Sequence, residues 1–235
     1  MSRSALPLPR FIAHRCGGLL APENTLAGLR AAAARGFKAV EFDVMLSADG
    51  TPLLIHDETL ERTTNGRGRV GETADAELFA LDAGGGERIP TLAEAAALCG
   101  ELGLLANVEI KPAAGHESRT GEVVARFVAG HWPGVPPLLS SFSLDALAVA
   151  RAVAPQLHYG LLFETVPADW PALMARFGAV TLHCDAGRVS DTVLAEAAAA
   201  GVPVLCYTVN DPDEAQALFA RGVTSVFTDR LDLFA

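Results

Sequence analysis

Four cysteines in 235 residues, Cys16, Cys99, Cys184 and Cys206, stand far apart with no Cys-x-x-Cys pair. That excludes a disulfide framework and a thiolate zinc knuckle as organising features. No apolar run approaches the ~20 residues a membrane-spanning helix needs. The opening "MSRSALPLPRFIAH" has no continuous apolar segment and is broken by prolines, so no secretory signal is read there. Basic charge is scarce: 18 Lys and Arg face 28 Asp and Glu, for a formal net charge of -10. Binding to a nucleic-acid backbone calls for basic stripes, and none is present. An acidic surface also repels anionic membranes. No Gly-x-Gly-x-x-Gly follows the first strand-like run, against a dinucleotide fold. These absences predict a cytoplasmic protein with no nucleic-acid partner and no stable membrane association.

What is there is apolar and regular. Hydrophobic residues make up 50% of the chain, enough for a substantial core. Short apolar runs ("FIAHR", "AVEFDVML", "LLANVEIK", "PLLSSF", "HYGLLF", "AVTLHCD", "VPVLCYTVN", "TSVFTD") alternate with mostly alanine-rich helical stretches. Runs apolar on both faces suit strands covered by parallel neighbours and helices. Counting from "FIAHR" to "TSVFTD" gives eight β-α units, which predicts a (β/α)8 TIM barrel as a single domain over 1–235. A doubly wound open sheet is the alternative. One segment interrupts the alternation. "SADG" is too short for a parallel crossover, so "AVEFDVML" and "TPLLIHD" are predicted to form an antiparallel hairpin. The glycine-rich segment after it, about 57–90, reads as a small insertion above the barrel, and such long loops are usually functional or disordered.

In a parallel barrel, chemistry gathers at the carboxyl ends of the strands. There the sequence supplies His14 and Arg15, then Glu41 and Asp43 on one face of the second strand, then Glu109 and Lys111. Three carboxylates on neighbouring strands make an oxygen-rich nest for a hard divalent cation. The hairpin returns His56 to the level of Asp43, so two histidines remote in sequence are expected to face one another across that ion. Such a set suits cleavage of a phosphate ester: cations offset the phosphoryl charge, one imidazole takes a proton and the other gives one. Each residue alone has an ordinary reading: a packed or solvated histidine, a surface arginine, a Glu109–Lys111 ion pair. Their placement at consecutive strand ends is the signal. His183 either lines the site or is a satisfied core residue. His116, His131 and His158 are given no role. Pro22 and Asn24 suit a helix start, with Asn24 or Thr25 as cap, and Cys16, Cys184 and Cys206 read as small buried hydrophobes.

The wording of "HRCGGLLAPENT", "EFDVMLSADGTPLLIHDETLERTTNG", "NVEIKP", "LLSSF", "YTVN" and "GVTSVFTDR" resembles, in order, the glycerophosphodiester phosphodiesterases, nearest the short cytoplasmic bacterial form. The resemblance implies metal-dependent hydrolysis of a small-molecule glycerophosphodiester, such as glycerophosphocholine or glycerophosphoethanolamine, to glycerol 3-phosphate and an alcohol. It implies His14 and His56 as the acid-base pair and Glu41, Asp43 and Glu109 as metal ligands, with magnesium first and calcium second. Arg15 and Lys111 would hold the phosphate, and the substrate's own 2-hydroxyl would attack first to form a cyclic phosphate. Two positions depart from the family pattern. Cys16 stands where glycine is usual, and is expected to crowd the phosphate or to impose an ordinary backbone conformation. Tyr207 stands where tryptophan is frequent; with Phe142 it still offers an apolar wall to the substrate. A non-catalytic phosphate-binding barrel, favoured only by Cys16, and a phospholipase acting on intact lipids are the alternative functions.

Overall fold

The computed structural model describes residues 6–234, so the first five residues of the opening segment lie outside the described residues. The elements run β1 (Phe11–Ala13), α1 (Leu26–Ala34), β2 (Ala39–Leu46), β3 (Pro52–Leu54), α2 (Asp75–Leu78), α3 (Leu92–Leu102), β4 (Leu105–Ile110) and α4 (Glu117–His131). They continue as β5 (Leu138–Ser141), α5 (Leu144–Val153), β6 (His158–Phe163), α6 (Trp170–Phe177), β7 (Thr181–Asp185), α7 (Asp191–Ala200), β8 (Val204–Tyr207), α8 (Pro212–Ala220) and β9 (Ser225–Thr228). Local chemistry fixes many of the ends. Thr91 and Glu94 form a reciprocal capping box on α3, and Ser143 and Ser190 accept from the third residue of α5 and α7. Such caps are each worth about 1 kcal/mol. Gly103, Gly178 and Gly201 close α3, α6 and α7 in the left-handed conformation that glycine adopts without strain.

The strands pair in the order β1-β9-β8-β7-β6-β5-β4-β2-β3, and a β1–β2 pairing closes the ring. Eight of them, all but β3, are parallel, and helices lie between most successive strands. This is the closed (β/α)8 barrel, and the closure rules out the open sheet. The period of two along each strand sorts side chains between two environments. On β2, Val40, Phe42 and Val44 face the helices and join the main core, while Ala39, Glu41 and Asp43 alternate with them. Ile12, Ala39, Leu105, Leu205 and Phe227 fill the lower interior. In register above them come Glu41 beside Asn107 and Asp43 beside Glu109.

β3 pairs antiparallel with the outer end of β2, with Val44 opposite Leu54. The insertion is ordered. Leu60, Val70, Leu78, Ala83 and Ile89 pack with Met45, Leu53 and Ile55 of the hairpin as a second small core. Its many glycines mark turns between packed residues, which is why its periodicity is weak. α4 opens on a polar first turn, Glu117–Arg119, ahead of its buried face at Thr120, Val124 and Val128. Among the described residues no helix is long and apolar enough to cross a membrane.

Candidate active site

One pocket at the carboxyl ends of the strands is lined by His14, Arg15, Glu41, Asp43, His56, Glu109, Lys111, Phe142 and Tyr207. All nine side chains singled out from the sequence therefore meet in one place. Asn107, Leu162, His183, Thr208 and Phe227 complete the lining.

The hairpin delivers His56 as expected. Ile55 donates its backbone N–H to the Asp43 carbonyl at 3.2 Å, which sets the next residue at the rim beside the acids. Each imidazole is held from behind by an aspartate. His14 Nδ1 lies 2.7 Å from Asp229 Oδ1, and His56 Nδ1 lies 2.7 Å from Asp57 Oδ1. Asp229 is ionised: burial pushes its carboxyl up, but the hydrogen bond to His14 and the charges around it hold it below the usual range. Asp57 is likewise held well below the usual range, first by its hydrogen bond to Arg62. A carboxylate only accepts, so Nδ1 carries the proton in both rings and Nε2 is left to exchange one. His56 is pushed toward its neutral form by burial, against the pull of Asp43 and Asp57.

Glu41, Asp43 and Glu109 are all buried, and one oxygen from each lies within 4.8 Å of the others. Burial and mutual repulsion drive the Glu41 carboxyl well up and the Glu109 carboxyl to about 8. Burial also opposes ionisation of Asp43, but Lys111, then His56 and the amide of Asn24, outweigh it. Three crowded oxygens with too little positive charge among them suit a hard divalent cation. Lys111 Nζ offsets part of the deficit at 3.2 Å from Asp43 Oδ1 and 3.6 Å from Glu109 Oε1. Arg15 sends Nη1 to Glu23 at 3.1 Å, while its buried Nε has no hydrogen-bond partner among the described residues. Phe142 is exposed, and its ring meets Tyr207 edge-on at 5.9 Å between centroids.

Sequence reasoning missed the residues that hold these groups. Asn24 is no helix cap; Thr25 caps α1. Asn24 instead donates to Asp43 Oδ2 at 2.9 Å and accepts the Asp43 backbone N–H at 3.2 Å, which fixes that carboxylate. Asp229, 215 positions from His14, and Asn210 behind it had only "YTVN" and "FTDR" as signals. His183 is wholly buried against Thr181, driven to about 3 by burial, and lines the pocket as a neutral packed ring. Neither expectation for Cys16 holds. Its backbone keeps φ 72°, the left-handed region, and its thiol is buried in the main core instead of lining the pocket. The backbone retains the glycine-like turn because Arg15 and Cys16 both bond to Glu41, through Oε2 at 2.9 Å and the carbonyl at 2.7 Å. The one feature favouring a non-catalytic barrel thus lies outside the pocket.

The model of the glycerophosphoryl diester phosphodiesterase family matches residues 14–233. This chain belongs to that family. A glycerophosphodiester phosphodiesterase of Caldanaerobacter subterraneus subsp. tengcongensis is 32% identical over 225 residues, 93% of each chain. An Oleispira antarctica phosphodiesterase, solved in complex with its product sn-glycerol-3-phosphate, superposes with a TM-score of 0.91 at 39% identity, covering 94% of this chain and 93% of that one. The glycerophosphodiester phosphodiesterase of Agrobacterium tumefaciens gives 0.78 at 28% identity, covering 97% and 99%. The chain is accordingly a phosphodiester hydrolase that converts glycerophosphodiesters to glycerol 3-phosphate. Divalent-metal dependence is general in the family, and the buried acidic triad is a cluster able to hold such an ion.

Proposed function

We propose that this chain cleaves small soluble diesters, such as glycerophosphocholine and glycerophosphoethanolamine, by acid-base catalysis between His14 and His56. The reading is carried by one observation: two imidazoles, each anchored through Nδ1 by an aspartate, line the same pocket as three clustered carboxylates. Glu41, Asp43 and Glu109 would hold a divalent ion, magnesium first and calcium second, which when bound supplies positive charge for the phosphoryl oxygens. The other positive charge comes from the chain. Arg15 and Lys111 flank the acids and meet a phosphate that enters the pocket. Through Nε2 one histidine removes the proton of the attacking hydroxyl, water or the substrate's own 2-hydroxyl; where the 2-hydroxyl attacks, water then opens the cyclic phosphate to give glycerol 3-phosphate. The other histidine protonates the leaving oxygen as its bond to phosphorus breaks. The Phe142–Tyr207 wall packs on the apolar part of the substrate.

The experiment is product release from glycerophosphocholine. A chelator should abolish it and a divalent ion restore it. His14→Ala or His56→Ala should each lower kcat by about 100-fold or more, the usual scale of an acid-base contribution. Undiminished kcat in both variants would defeat the assignment.

A further inference from the structure

Arg62 belongs to the insertion and does not line the pocket, yet it touches the two residues that hold pocket groups in place. Its guanidinium grips Glu23 with Nη1 at 2.7 Å and Nη2 at 2.8 Å, and grips Asp57 with Nε at 2.6 Å and Nη2 at 3.0 Å. Glu23 Oε1 also takes Nη1 of Arg15, and Asp57 Oδ1 also takes Nδ1 of His56. One planar cation therefore sits at the centre of an unbroken chain of hydrogen bonds, Arg15–Glu23–Arg62–Asp57–His56. The chain joins the loop after β1 to the end of the hairpin, and its Glu23–Arg62 link spans 39 positions of sequence.

We infer that Arg62 is a positioning residue that fixes Arg15 and His56 relative to one another, so that the insertion sets the spacing between phosphate grip and proton transfer. The geometry needs arginine. Two bidentate carboxylate grips require a rigid fork of N–H donors, and a lysine ammonium supplies only a point charge on a flexible stem. Without Arg62, Glu23 and Asp57 face each other as like charges and move apart, taking their partners with them. Exposed ion pairs add little to stability, and Arg62 is 45% exposed, so its effect belongs to geometry. Misplacing a catalytic group by about 1 Å can cost about 100-fold in rate.

The test rests on the proposed acid-base reading and compares purified variants on glycerophosphocholine with saturating divalent ion. Arg62→Ala should lower kcat/KM by about 10- to 100-fold, and Arg62→Lys should recover only part of it. Glu23→Gln, which frees Arg15, should act mainly on KM; Asp57→Asn, which frees His56, should act mainly on kcat. In a Glu23→Gln/Asp57→Asn background, Arg62→Ala should cost almost nothing more. Arg69→Ala is the control for a lost surface pair in the same insertion, because among the described residues Arg69 pairs with the charged groups of Glu58 and Glu72 only; it should leave both constants unchanged. The inference is overturned if Arg62→Ala matches wild type, if its loss equals that of Arg69→Ala, or if it loses as much in the double variant as alone. Should Arg62→Ala fold poorly by thermal melting, the kcat-against-KM split between Asp57→Asn and Glu23→Gln decides instead. A wild-type protein that releases no glycerol 3-phosphate defeats the reading beneath, whereas an active wild type with an unaffected Arg62→Ala defeats this inference alone.

Discussion

Removing divalent ions from this protein should make its stability fall as pH rises, and the structure says by how much. Glu109 is buried beside Asp43, and in the folded, ion-free chain its carboxyl sits at about 8, against about 4.5 for the unperturbed group. The folded state then binds a proton that the unfolded state has already released between those values, so stability is greatest below about 4.5 and is lost as pH rises toward 8. Each unit of pH in that window costs up to about 1.4 kcal/mol. From pH 5.5 to 7.5 the loss is roughly 2 kcal/mol, or about 4–8 °C in Tm for a chain of this size. Melting curves in EDTA across that range measure it. Other groups titrate too, so the comparison is with Glu109→Gln, whose amide has no proton to lose and whose curve should be flatter by that amount. A divalent ion must find its ligands deprotonated. Added magnesium or calcium should therefore raise the wild-type Tm more at pH 7.5 than at 5.5, and should barely move Glu109→Gln. Parallel Tm profiles for the two proteins in EDTA would refute the reasoning, because they would mean that Glu109 is already ionised in the folded chain.

Three further outcomes follow from single contacts. Asp229→Asn removes the carboxylate that holds His14 Nδ1 at 2.7 Å, and steady-state kinetics should show kcat down by about 10- to 100-fold, part of the loss proposed for His14→Ala. Cys16→Gly takes a buried thiol from the core and relieves a left-handed residue; those effects oppose each other, so kcat should stay within about twofold, and a large rise would mean the side chain obstructs the pocket after all. Phe142→Ala opens the exposed side of the apolar wall, and KM should rise by several-fold with kcat little changed, a pattern of lost uniform binding.

Strands, helices and the eight-fold alternation were legible because their signals are local: both-sided apolar runs, capping serines and threonines, and glycines at helix ends. So were the residues that face the pocket. Glu41 and Asp43, or Glu109 and Lys111, stand two apart on a strand, and a parallel barrel collects such ends in one place. Even His56 could be brought to the rim, because a four-residue turn allows only a hairpin. The supporting residues were not legible. Asn24 looks like a helix cap and Arg62 like a surface charge, and nothing local distinguishes Asp229 from any acid after a strand. The order of the insertion was hidden as well, since its small core is assembled from residues scattered between turns and completed by the hairpin.

The sequence by itself determined the periodicity, the barrel and the identity of the side chains that line the pocket, because each follows from the spacing of residue types along a strand or helix. Tertiary structure alone decided how those side chains are held. The aspartate behind His14, the amide on Asp43 and the arginine joining Glu23 to Asp57 act through hydrogen bonds between distant segments. A hydrogen bond depends on distances of a few tenths of an ångström, and no spacing along a chain encodes that.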